Sequence, residues 1–321
     1  MNFIQQAYKG NNEWFHWVLT IMAVFAGWQI LGVIPLTVLA IMHSANMAEF
    51  TAAAQDNFMT LDINKNLFLF FMILMFFFGL VSLVIAIKYI HKRTVTSLLT
   101  SRKSIDWKRF WFGFITWGIV SSVVIMGGIL LAPENYVWNF NPVPFFTLLA
   151  VSFLFLPFQT SFEELLFRGY FMQGLGILAK NRWVPLILTS VCFGLLHGAN
   201  PEVEKLGYIS MVFYIGTGFF YGITTLMDEG TELAIGLHAI NNIVAAFFVT
   251  TNWTVFQTDA LYVDTSEPSV GWEMFFPVLV LYPILLFIFS KKYGWKNWKE
   301  KLTGKIEQPV NLKENYRILE D

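Results

Sequence analysis

Long apolar runs separated by short polar segments set the pattern of this chain. Eight runs reach the length that a bilayer requires, about 20 residues for a helix. They lie near 16–42, 67–90, 109–132, 143–160, 183–200, 206–227, 232–253 and 274–290. The fourth does not stop cleanly, because helix-compatible sequence continues through SFEELLFRGY to about Leu178. One straight helix over that stretch would be on the order of 54 Å long, so a break or kink is expected at Pro157 or Gly169. The pattern predicts an all-α fold, a polytopic membrane bundle of about eight transmembrane helices. Residues 1–290 are expected to form one transmembrane domain. Residues 291–321 are expected to form a charged tail, interfacial or disordered.

Composition supports the membrane reading. Hydrophobic residues make up 56% of 321 positions and charged residues 13%, against about a quarter charged in soluble domains. The 34 phenylalanines and 12 tryptophans suit lipid-facing surfaces and interfacial belts. Membrane lipid is therefore an expected partner, and nucleic acid is not. Cys192 is the single cysteine and lies in an apolar run, so no intrachain disulfide is expected. The opening MNFIQQAYKGNNEWFHW lacks the short charged region and short apolar core of a cleaved signal, so the first run is expected to be a retained span.

Charge placement sets the expected orientation. The loop 91–108 holds Lys92, Arg93, Arg102, Lys103 and Lys108, and eight basic residues follow position 290. The alternate loops are poor in them: 43–66 has Lys65, 201–205 has Lys205, and 133–142 and 254–273 have none. By the positive-inside rule both termini are expected in the cytoplasm of a multi-pass integral membrane protein, in the cell membrane if the source is bacterial.

Within the runs few strongly polar groups remain: Glu163, Glu164 and Arg168, then His197, then His238 with Asn241 and Asn242. An ionised side chain at the centre of a bilayer costs roughly 3 kcal/mol on insertion scales, so such residues mark function by default. Glu164 and Arg168 are four apart and share a helical face, acid before base, the favourable order. Glu163 lies about 100° around the helix, leaving it to point elsewhere. A purely structural ion cluster is the plainer alternative, but one arginine compensates one carboxylate and leaves the second unexplained. Taken singly, His197, His238 and the asparagines read equally well as interhelical hydrogen bonders.

Taken together, Glu, His, His and Asn suit hydrolysis. A glutamate with a histidine can take a proton from water, and a histidine with an asparagine can donate to an oxyanion. The same groups could bind a metal instead, since one carboxylate and two imidazoles (Glu163, His197, His238) match a catalytic zinc set. No HExxH sequence is present to favour that option. Ser161 lies beside the glutamates, with nothing at helical spacing to activate it.

At these positions the chain resembles the CPBP family, which includes the CAAX prenyl proteases and bacteriocin-processing (Abi) enzymes. The family's dispersed motifs EExxxR, FxxxH and HxxxN read here as EELLFR from Glu163 to Arg168, FGLLH from Phe193 to His197 and HAINN from His238 to Asn242. The matching core spans about 145–250. The resemblance implies an intramembrane endopeptidase with its active site in an intramembrane cavity. Its substrate would be a membrane-associated peptide or protein, prenylated CAAX-like or bacteriocin-type. It implies that Glu163 with His197 activates water and that His238 and Asn242 stabilise the oxyanion. Glu164 and Arg168 match positions read as mainly structural, and Phe193 heads the second motif. The family's metalloprotease label leaves a divalent metal such as zinc as a possible cofactor.

Two readings compete. A transporter would use intramembrane Glu, Arg and His as an ion path, but the symmetry between halves that it predicts is not visible. A non-catalytic peptide-binding or immunity protein would keep the fold without cutting. One tension remains within the spans. Straight upright helices put Glu163 near the cytoplasmic edge and His197 about 21 Å deep, so tilted or broken helices around a cavity are expected.

Overall fold

Polar residues open several of the apolar runs as helix caps. The Asn64 side chain accepts from the backbone N–H groups of Asn66 and Leu67, and Asp106 accepts from that of Lys108, each satisfying donors that the first turn leaves without a partner. Pro142, whose missing N–H costs nothing there, begins the fourth helix. A computed structural model describes residues 1–309; the end of the tail, 310–321, lies outside the described residues.

The predicted runs become eight apolar helices: α1 (Trp14–His43), α2 (Lys65–Tyr89), α3 (Trp107–Leu131), α4 (Pro142–Ala179), α5 (Trp183–Ala199), α6 (Tyr208–Asp228), α7 (Glu232–Phe247) and α8 (Met274–Tyr293). Six are long and apolar enough to cross a membrane; α5 and α7 are shorter. The 16 residues of α7 amount to about 24 Å, less than a hydrocarbon core. Its run does not continue to 253, because Val249–Thr250 leaves the helix as a short strand. Nearly every residue from Glu232 to Ala246 is buried, so α7 is a central helix that neighbouring helices, not lipid, surround. Its closest approach is to α3. A Cβ on Gly236 would sit 2.1 Å from the Phe110 carbonyl oxygen, and one on Gly113 2.7 Å from that of Leu233. Small residues at such crossings let membrane helices pack backbone to backbone.

The long fourth helix runs unbroken past Pro157. Its irregularity lies further on, where Leu165–Phe171 winds as a π-helix that includes Gly169. There a Cβ would press on Leu98 at 3.0 Å, so the glycine accommodates the neighbouring 95–99 helix at the wide turn. π-Segments inside α-helices often accompany functional sites, and this one begins one residue after Glu164.

The two ends of the bundle differ. At one end acidic groups at the junction of α6 and α7 meet basic groups from three other segments. Arg102 pairs with Asp228 at 3.0 Å and Glu232 at 3.1 Å, Arg109 pairs with Asp228, and Arg182 pairs with Glu229 at 3.2 Å. Lys301 and the Phe3 backbone N–H also bind Glu229. The N-terminus, the 91–108 loop and the segment after α8 therefore share one end. Part of the expected tail is docked rather than free: Trp295 donates to Asp228 at 3.1 Å, and Ile306 is buried with its N–H bonded to the Lys180 carbonyl. At the other end lies a three-stranded patch, β1 (Tyr136–Trp138), β2 (Val249–Thr250) and β3 (Tyr262–Asp264). β3 is central, antiparallel to β1 and parallel to β2.

Candidate active site

Adjacent glutamates on α4 go to different surroundings, as their helical angles require. Glu164 and Arg168 are both fully buried and paired at 2.9 Å. The oxygen that accepts from Arg168, Oε1, also lies 2.9 Å from Nδ1 of His238 on α7. Arg168 gives a second hydrogen bond to the Gly218 carbonyl at 3.0 Å, and its guanidinium lies 4.2 Å over the Phe193 ring. Gly218 permits this geometry, since a Cβ there would meet the Ser190 carbonyl oxygen at 2.4 Å. Glu164 is therefore more than the partner of Arg168. It also orients a catalytic candidate.

Glu163 faces a cavity of about 680 Å³ between the helices. No lysine or arginine is within ion-pair distance of it among the described residues. Its Oε1 accepts from the Gln159 side-chain amide at 3.3 Å, and its Oε2 lies 3.7 Å from Nε2 of His238. The imidazole in contact with Glu163 is thus that of His238.

His197 lies where α5 tightens into a final 3₁₀ turn. Its Nδ1 is 2.9 Å from the Phe193 carbonyl. A carbonyl only accepts, so Nδ1 carries the proton and Nε2 of the neutral ring is left with its lone pair. Tyr214 stacks on this imidazole at 4.5 Å and 19°, while Tyr221 stacks on His238 at 5.0 Å and 26°. Phe193 lies between them, with ring centroids 4.9 Å from His197 and 5.8 Å from His238. The phenylalanine of the second motif thereby separates the two histidines and receives Arg168 on its face.

Asn242 is oriented from behind. Trp117 on α3 donates to Asn241 Oδ1 at 3.0 Å, and the Asn241 amide donates to Asn242 Oδ1 at 3.1 Å. With its oxygen engaged, Asn242 keeps its N–H donors for the cavity that it lines.

All four predicted catalytic candidates, Glu163, His197, His238 and Asn242, line this one cavity, joined by Trp28 of α1 and Phe76 of α2. Thr251, Thr254 and Val255 close it from the end opposite the basic loop. Glu163 and His197, which straight helices would place at different depths, line the same cavity. Among the described residues no group of three or more His, Cys, Asp and Glu side chains is disposed to hold a metal. Glu163, His197 and His238 are not grouped as such a ligand set, and each imidazole is hydrogen-bonded only through Nδ1, His238 by Glu164 and His197 by the Phe193 carbonyl.

Several participants carried no motif. Gln159 could have been found from its spacing, four residues before Glu163 on the same face. Trp117, Tyr214 and Tyr221 arrive from other segments, and nothing local announces them.

The fold and cavity define a multi-pass helical membrane protein with a carboxylate–histidine centre between its helices. Residues 141–244 match the family model described as type II CAAX prenyl endopeptidase Rce1-like, and the matched stretch holds all three of the motifs on which the resemblance to the CPBP family rests. The chain is also 29% identical over 284 residues to the uncharacterized protein YyaK of Bacillus subtilis (strain 168), covering 87% of this chain and 93% of the relative. No solved structure matches it.

Proposed function

We propose that the protein is an intramembrane endopeptidase that hydrolyses a peptide bond in a membrane-associated peptide or protein, with residues 1–290 acting as one protease domain. The observation that carries this reading is the convergence of Glu163, His197, His238 and Asn242, from three separate helices, on one cavity. Glu163 is a carboxylate with no lysine or arginine partner among the described residues, and the His197 Nε2 is a free acceptor. These are the groups needed to take a proton from water as it attacks the scissile carbonyl.

The attack forms a C–O bond and leaves a tetrahedral oxyanion. Asn242 donates an amide N–H to that charge, and His238, when protonated at Nε2, donates a second hydrogen bond. Glu164 keeps His238 Nδ1 as a donor and stabilises the ring when it carries both protons, as an orienting carboxylate does. Collapse breaks the C–N bond, and the proton taken from water passes to the leaving amine, giving a carboxylate and an amine. The long apolar walls of the cavity suit a substrate held in or on the membrane, prenylated CAAX-like or bacteriocin-type. Both termini and the 91–108 loop belong to the cytoplasmic side in this reading.

The test is a peptidase assay on purified protein with a library of membrane-tethered peptides. Wild type should release products that Glu163→Gln does not. Equal cleavage by both, or by neither across the library, would refute the reading.

A further inference from the structure

Glu202 belongs to none of the three motifs, yet it is a buried carboxylate at the edge of the active-site cavity. No lysine or arginine pairs with it among the described residues. Three neutral donors satisfy it instead. Oε1 accepts from the Tyr214 hydroxyl and from the Asn200 side-chain amide at 3.0 Å, and Oε2 accepts from the Val255 backbone N–H at 3.0 Å. A buried charge without a counterion is costly, and this one is held by groups from three segments.

One of those groups leads directly to the site. The Tyr214 ring lies face to face with His197 at 4.5 Å. His197 has a single ring hydrogen bond, to a carbonyl of its own helix, and that bond alone leaves the ring free to tilt about it. The stacked tyrosine is the restraint from outside the helix, and its own ring is held at the far end by a charge-assisted bond to Glu202. We propose that Glu202 is a positioning residue for His197, acting through Tyr214. It fixes the plane in which the His197 Nε2 lone pair meets the attacking water. The plainer alternative makes Glu202 only a fastener for the 249–258 segment through Val255.

The inference rests on the hydrolytic role of His197, and the experiment separates the two. Full-length protein labelled at histidine with ¹³C and ¹⁵N has five histidines, and the resonance missing from His197→Gln identifies His197. Stacking on Tyr214 should displace its ring signals by ring current. In Glu202→Gln and in Tyr214→Phe, which keeps the ring but removes the tether, these signals should move. Turnover should then fall by about tenfold or more, since small misplacements of reacting groups are amplified, with KM within about twofold. Tyr214→Phe keeps the test available if Glu202→Gln folds poorly, because Glu202 then retains Asn200 and Val255. Unmoved His197 signals and unchanged turnover in these variants, with only thermal stability lowered, would reduce Glu202 to a fastener. Full turnover by His197→Gln would instead remove the hydrolytic role of His197 and leave the positional claim to the resonance shifts.

Discussion

His238 Nδ1 lies 2.9 Å from Glu164 Oε1, the oxygen that also accepts from Arg168. One carboxylate therefore neutralises a buried guanidinium and sets the tautomer of an imidazole on another helix. The first consequence concerns stability. Arg168→Ala strands that carboxylate in the core, and breaking one side of a buried pair costs about 3–5 kcal/mol. Its yield and thermal stability in detergent should fall well below those of Glu163→Gln, which keeps shape at a cavity wall. A Glu163→Gln protein less stable than Arg168→Ala would reverse the assignment of the pair.

The second consequence concerns rate. Glu164→Gln substitutes an amide whose orientation toward Arg168 and His238 is compromised, and the wrong tautomer of an oriented histidine is costly in turnover, by on the order of 10²-fold or more. The variant should bind substrate with little change in KM while kcat collapses. Wild-type kcat in a folded Glu164→Gln protein would limit this residue to scaffolding.

Asn242 presents its amide donors because Asn241 holds its oxygen, and Trp117 in turn holds the Asn241 oxygen. Asn242→Ala should lower turnover by about 10²–10³, as for other oxyanion donors, with a smaller change in KM. Trp117→Phe, which unties the chain at its far end, should produce a milder loss in the same direction. Steady-state kinetics on the two variants checks the order.

Water activation as derived uses only side chains. Activity should therefore survive dialysis against a strong chelator, with metal content measured alongside. Loss of activity that added zinc restores, combined with a mild Asn242→Ala, would assign the charge stabilisation to a metal.

At the basic end, burial pushes the His91 imidazole down to about 4, with Arg93 and His16 nearby acting in the same direction and the hydrogen bond to the Asn11 carbonyl opposing. The unfolded chain binds this proton near pH 6.5, whereas the folded protein does not until about pH 4. This contribution is present above pH 6.5, declines as pH falls toward 4, and levels off below. Thermal midpoints from pH 7 to 4 should show a smaller decline in a folded His91→Gln variant than in wild type.

Orientation is checked by accessibility. Single cysteines introduced near Lys103 and Lys305, in a Cys192→Ser background, should resist an impermeant thiol reagent in intact cells and react after permeabilisation. Strong labelling of both in intact cells would invert the bundle.

Much of this molecule was legible from local rules. The apolar runs located all eight apolar helices, and for six of them the run is as long as a bilayer requires. Four-residue spacing paired Glu164 with Arg168 and sent Glu163 elsewhere, because both residues ride one helix of known pitch. The site candidates were readable for the same reason, as polar groups stand out where solvation is scarce. The break in α4 was misassigned to Pro157 as one option. The helix continues through Pro157 despite the bond and clash a proline brings, and the irregularity falls on the π turn that includes Gly169, which packs against Leu98 of the 95–99 helix.

Pairings between helices could not be read from the chain. Whether Glu163 meets His197 or His238, that Glu164 reaches across to His238, and that Glu202 stands behind Tyr214 depend on the rotation and crossing of separate helices. Those are set by close contacts such as Gly113 with Leu233, Gly236 with Phe110 and Gly218 with Ser190. The sequence alone determined which residues could do chemistry and on which helical face each lies. Only tertiary packing decided which of them touch, because a hydrogen bond across helices requires ångström-level register that no periodicity within one helix encodes.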